Sequence, residues 1–492
     1  MFHPVKLPVC RTWLRLTALL FLLYYQSLMA QPRLGPLKKE AIQYINHQAA
    51  QLTACSDSIW SFAEKSFEEH QSAALLCRIL RQEGFSVQEK VCGVASMFIA
   101  TYGLVKPVIG LFGEYDADPQ ASNQPVPWRE ERVKGGYGHG AGHNLLAVGS
   151  LGTALALKSL IAKGKLIGSI RYFGTTAEGS LGGKAYLARD GYFRELDLSL
   201  YWHPSPVTAA STHSWDALVE CVIRFSGEKL PAFREDYAQK NPLNALAFFM
   251  DGVRQLNRRN PRVRINYSVL TTGKDLQYTP DTVTIRLQVQ GARQAETVQT
   301  FRQVEEITRL TASLNEVSHQ LTVIRSFHEF VVNVPAMKLV QENMQLVESI
   351  RYTATEQAYA RQMQEYLGQQ PEGMVERILP FSDNSQQVKL NGNGSDIGDA
   401  SWIAPEIYFV VCCLPPVPMH CWPTTAFTAH SIGHKGMLYA AQVMAAVAID
   451  YLENKALQAE IRKDFEAKTN QYPYQSLLKW LSPPVSEYSK TR

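Results

Sequence analysis

Two histidines, His139 and His143, stand four residues apart among three glycines in the stretch 137–144 (YGHGAGHN), directly before an apolar helical run at 145–161. Glycines let backbone approach a ligand closely, and a helix start offers free N–H groups. A loop ending in a histidine at a helix N-terminus therefore suits a metal ion or an anion. Alone, the H-x3-H spacing is equally compatible with a glycine turn carrying two polar side chains. Further groups able to do chemistry are Asp116 in GEYDADP (113–119), Glu178 in GTTAEGSLGG (174–183) and His203 in YWHP (201–204). Asp396 in GSDIGDASW (394–402) and His420 in MHCW (419–422) complete the set. Cys412 and Cys413 lie in an apolar run, which suits a buried pair better than a nucleophile. The chain has no G-x-S-x-G and no P-loop motif.

The elements around these groups read as alternating strands and helices. Residues 35–85 are helical in pattern. Strand-like runs follow at 86–91, 97–102 and 108–113, then a polar loop at 119–136. A helix over 144–163, a strand at 168–174, a helix at 183–190 and a strand at 197–202 complete a β-α-β-α-β order suited to a parallel sheet. Polar turns follow the strands at their C-terminal ends, where open parallel sheets place their sites. Residues 214–330 change character, with strands at 215–225, 263–270, 283–290 and 319–327 and helices at 242–256 and 295–314. This β-α-β-β-α-β order predicts a separate ferredoxin-like unit. Beyond it come helices at 336–367, a polar loop at 382–396, a strand at 407–414 and a helix from 434 to about 454.

A chain of 492 residues exceeds one ordinary core. Its net charge is +4, of which Lys6, Arg11 and Arg15 supply three, so nothing suggests nucleic acid or a polybasic membrane surface. Those residues precede a short apolar run, 16–25, and small or apolar residues end the stretch at Ala30. This pattern predicts a secretory signal at 1–30 and an exported, periplasmic or secreted, protein. No later stretch reads as a membrane span. The eight cysteines are sparse, without C-x-x-C, and form no disulfide framework; Cys77 and Cys221 lie in apolar patterns expected in the core.

The motifs in this order resemble the M20 family of metallo-amidohydrolases, in the branch acting on auxin and amino-acid conjugates, near the p-aminobenzoyl-glutamate hydrolase B-type proteins. The resemblance covers nearly the whole mature chain. It implies an M20-type (zinc-peptidase-like) α/β catalytic domain in two parts, 31–213 and 331–492, with the inserted ferredoxin-like lid or dimerisation domain at 214–330. The family uses two divalent ions and a glutamate as general base and acid. Carried over position by position, Glu178 matches the base, and His143 and His420 match ligand histidines. Ala141, Gly179 and Tyr201 replace the ligand cysteine, glutamate and histidine. His139, Asp116, His203 and Asp396 are pocket residues, Asp116 supporting the histidine loop. The lid turn 227–233 (GEKLPAF) lacks the histidine the family places there. Two imidazoles cannot hold two dications, so the resemblance predicts a degenerate centre with no metal or one zinc or manganese. One such ion would sit on His143, His420 and Glu178, with His139, His203, Asp116 or Cys421 as a fourth ligand. The expected ligand is a small amide or peptide-like conjugate, such as an N-acyl or N-aroyl amino acid. The expected partner is a second copy or a paralogue. The substitutions favour a binding protein or a heterodimer partner over an active hydrolase.

Overall fold

The computed structural model describes residues 34–478, except 235, 237–239, 386, 388, 389, 391 and 393. The expected signal at 1–30, with Cys10, lies outside the described residues. In chain order the first strands are β1 (Ser86–Glu89), β2 (Phe98–Tyr102), β3 (Val108–Glu114), β4 (Ser169–Thr175), β5 (Leu198–Ser205) and β6 (Ala209–Ala210). They are followed by β7 (Ala217–Ser226), β8 (Val263–Thr271), β9 (Thr282–Gly291), β10 (Ser318–Phe327) and β11 (Glu406–Cys412).

Seven of these strands make one sheet in the order β1-β2-β4-β3-β5-β11-β6. Its middle, β4-β3-β5-β11, is parallel, as the β-α-β-α-β reading predicts. The flanks are not: β1, β2 and β6 pair antiparallel. The connections into β2 and β6 are too short for the crossover a parallel neighbour requires. Strand β3 is buried along its whole length, which explains its apolar sequence up to Glu114. Strand β5 continues past the expected end at Trp202 through His203 and Pro204 to Ser205. The helical stretch expected at 336–367 is two helices, Val334–Leu346 and Ala354–Tyr366; a capping box between Thr353 and Glu356 starts the second.

Helix His143–Ala162 is long and apolar enough to cross a membrane, which corrects the expectation that no stretch after the signal would be. It is a core helix here, packed on the sheet and against helix Ser431–Glu453, so it is apolar all round. Trp202 Nε1 donates to Leu146 O at 3.2 Å, and a Cβ at Gly149 would meet the Trp202 ring at 2.8 Å. The glycine thus lets this helix lie directly on β5.

The second sheet runs β10-β7-β9-β8, all antiparallel. Helices Pro242–Arg259 and Gln294–Leu314 pack on it and close a separate core around Phe225, Phe249, Val289 and Val304. This is the ferredoxin-like strand order. Cys77 and Cys221 are buried, and no disulfide forms among the described residues.

Candidate functional site

The centre of the site lies at the C-terminal edge of the parallel strands. Gly142, with φ +82°, precedes His143, the first residue of its helix. Gly140 lets a second loop cross closely: a Cβ there would meet Cys421 N at 2.6 Å, and His420 N–H donates to Gly140 O at 2.8 Å. From the end of β3, Asp116 Oδ1 accepts from His143 Nδ1 at 2.8 Å, while its Oδ2 accepts from Gly179 N–H at 3.2 Å. Burial alone would raise the Asp116 carboxyl; the His143 charge and hydrogen bond outweigh it and hold the acid well below its ordinary range. Burial would likewise lower His143, yet Asp116, then Glu114 and Glu178, push it up to about 10.

Glu114, the last residue of β3, is fully buried and ties the centre together. Its Oε1 lies 2.5 Å from Lys184 Nζ, and its Oε2 accepts from the Tyr201 hydroxyl at 3.2 Å and stands 3.3 Å from His143 Nε2. Lys184 Nζ also meets Asp396 Oδ1 at 2.6 Å, and Asp396 Oδ2 accepts from the Lys184 N–H at 2.7 Å. Burial works against the ammonium, but Asp396 and Glu114 keep it charged. Burial raises Asp396 to about 7 in spite of Lys184. Lys184 is not among the sequence-derived candidates. Its signal is a single lysine in a small, apolar stretch (GGKAYLA, 182–188), which only an acidic partner could explain.

Glu178 projects from a turn in which Ala177 adopts φ +58°. The buried Glu69 holds that turn: its Oε1 accepts from Ala177 N–H at 3.0 Å, and its Oε2 from Thr176 and Ser96. Ser395 donates to Glu178 Oε1 at 2.7 Å, and Glu178 Oε2 stands 3.9 Å from His143 Nε2. Burial would raise Glu178; Lys184 and His143 lower it, so the carboxylate is ionised.

His203 faces His143 edge-on at 5.7 Å between rings. Its Nδ1 pairs with Pro204 O at 2.8 Å, and burial, then the His143 charge, lowers it to about 4. His139 points away, its Nε2 on Ile59 O at 3.1 Å and its Nδ1 buried without a partner. His420 stands at the rim with 61% of its side chain exposed, its Nδ1 3.5 Å from Asp118 Oδ1. Tyr201 is buried, stacked on Tyr408 with ring centroids 5.5 Å apart.

Among the described residues, the group close enough to share one metal ion is Glu114, His143 and His203, whose ligand atoms all lie within 4.8 Å of one another. This differs from the grouping His143, His420 and Glu178 read from the sequence. Both imidazoles have Nδ1 engaged, and His143 Nε2 is buried without a hydrogen bond. That is the usual arrangement of ligand histidines. The donor set fits one cation. It does not fit two, because Ala141 and Gly179 offer no donor side chain and Glu114 is already bound to Lys184 and Tyr201.

A mixed sheet with a parallel centre, carrying a ferredoxin-like insert and a glycine–histidine loop at its edge, is the M20 architecture. Two solved structures share the fold. A dinuclear metal-binding M20 peptidase from Bacillus subtilis matches with TM-score 0.55 and 14% identity, covering 83% of this chain and 99% of that one. An aminobenzoyl-glutamate utilization protein from Klebsiella pneumoniae matches with TM-score 0.56 and 15% identity, covering 83% and 97%. No family model matches the sequence. The chain is nonetheless similar to M20 amidohydrolases in fold and in sequence. Its relationship runs to a subunit of the p-aminobenzoyl-glutamate hydrolase of Escherichia coli K12, 25% identical over 454 residues, which span 86% of this chain and 93% of the relative.

Proposed function

We propose that this chain is a degenerate M20 amidohydrolase, which keeps a pocket for an amide-linked amino-acid conjugate but not the two-metal chemistry. The conjugate is an N-acyl or N-aroyl amino acid, the class suggested by the name of the Escherichia coli relative. One observation carries the reading: the buried Glu114 is ion-paired with Lys184 and accepts from Tyr201, while Ala141 and Gly179 supply no thiolate or carboxylate where the family has its ligand cysteine and glutamate. That the relative is one subunit of its enzyme supports assembly with a second chain, a copy or a paralogue, and the basic-apolar segment at 1–30 supports export.

A second reading, an active one-metal hydrolase, is favoured by His143 and His203, whose Nε2 atoms are free for a cation beside Glu114. A cation there would polarise the substrate carbonyl. The chain's own part would be Glu178, ionised and held by Ser395, taking a proton from water and passing it to the leaving nitrogen.

Calorimetry with N-benzoyl-L-glutamate, with metal analysis and an amide-hydrolysis assay in added Zn²⁺ or Mn²⁺, tests both. Binding lost on His143→Ala, without turnover, supports the first reading. Turnover with one ion per chain replaces it with the second, and no binding in either condition refutes both.

A further inference from the structure

A groove of about 1080 Å³ runs between the second sheet's helix Gln294–Leu314 and the segment 471–477. Its base is formed by His328, Glu329 and Trp402. It is separate from the centre around His143.

Gln294, the first residue of that helix, lines the groove with both side-chain amide atoms buried and without a hydrogen-bond partner. A buried donor and acceptor left unpaired are costly, and a ligand presenting an acceptor and a donor would remove that cost. The acidic residues of the groove are already engaged. Glu329 Oε2 accepts from Gln294 N–H at 2.8 Å, Glu296 pairs with Arg262 at 3.1 Å, and Glu306 pairs with Arg309 at 2.6 Å. Arg293 and Arg302 line the same groove and form no ion pair among the described residues. Gln294 and Arg302 are eight residues apart on one helix face, roughly 12 Å along its axis. The unpaired chemistry is therefore the buried Gln294 amide and two arginine cations, with Trp402 in the same lining.

We propose that this groove is a second binding site, for a small elongated organic acid that contains an amide. Its amide pairs with Gln294, its carboxylates meet Arg293 and Arg302, and its apolar part lies on Trp402. The chain's own residues 479–492 match the groove less well, since Lys479, Lys490 and Arg492 outnumber Glu487. A ligand here touches both parts of the fold at once. His328 and Glu329 directly follow β10, and Trp402 caps helix Ile397–Ser401, whose N-cap is the Asp396 that holds Lys184. The proposal does not depend on the reading of the M20 pocket.

The test uses N-acetyl-L-glutamate with the full chain, followed by calorimetry and hydrogen exchange. The expected result is protection at 293–303 and 471–477, with binding weakened at least tenfold in Gln294→Leu/Arg302→Glu and unchanged at these segments in His143→Ala. Arg302 is exposed, so Arg302→Glu alone is a folded control; it is expected to weaken binding on its own. No protection of these segments, or wild-type affinity in the double variant, would overturn the proposal.

Discussion

A Cβ at Gly179 would meet nothing closer than Asp116 Oδ2 at 3.6 Å, so a side chain can be accommodated where the family has a ligand glutamate. Ala141→Cys with Gly179→Glu is therefore expected to raise bound Zn²⁺ above the wild-type level, towards two per chain; equal metal content would refute the account of the missing donors. Lys184 is wholly buried between Glu114 and Asp396. Removing one partner of a buried pair strands the others, so Lys184→Met should cost about 3–5 kcal/mol, measured by urea unfolding. The histidines contribute to the pH dependence of the metal-free protein beside Asp396 and Glu69, which burial raises to about 7 and about 8. His143 is raised from 6.5 to about 10 when folded, so the stability it contributes is complete below 6.5 and is lost as pH rises towards 10. His139 and His203 are lowered to about 4, so the unfolded chain takes up their protons first and stability falls as pH drops from 6.5 towards 4. In EDTA, the fall of the unfolding midpoint between pH 6.5 and 10 should be reduced in His143→Gln.

The turn 177–183, between β4 and helix Gly183–Arg189, aims Glu178. Ala177 adopts a left-handed conformation that costs a residue with a Cβ roughly 1 kcal/mol. Ala177→Gly should relieve that strain and leave stability unchanged or raised by up to about 1 kcal/mol. Gly182 has φ +77°, and a Cβ there would overlap the Phe327 ring. Gly182→Ala should therefore destabilise by more than about 1 kcal/mol and loosen β10 from this turn, visible as faster amide exchange there. Equal melting of both variants would show that the turn is not held as described. The turn was legible in the sequence as a glycine-rich loop after a strand. Its support was not, because Glu69 lies 108 residues from Ala177.

At the scale of the molecule, two separate apolar cores stabilise two sheets. The C-terminal segment crosses between them. Tyr474 donates to Asp399 Oδ1 at 2.7 Å and packs on the His328 ring, while Leu478 is buried with Tyr186, Leu218 and Phe327. Phe225→Ala, in the second core, should cost about 3–5 kcal/mol and release β7–β10 before the larger sheet in exchange experiments. Simultaneous loss of both sheets would show a single cooperative unit instead.

Local pattern determined the strand and helix order, the ferredoxin-like insert and the glycine–histidine loop, because each is a periodicity or a turn signal within a short window. The absent donors at Ala141 and Gly179 were likewise readable, since they stand inside recognisable motifs. Tertiary structure alone decided which groups meet. It joined Lys184 to Asp396 across 212 residues and set Tyr201 on Glu114 across 87. It also left His420 exposed at the rim while bringing His203 to His143. Charge compensation in a buried site depends on distances of a few ångströms between elements far apart in the chain, and one-dimensional spacing does not encode them.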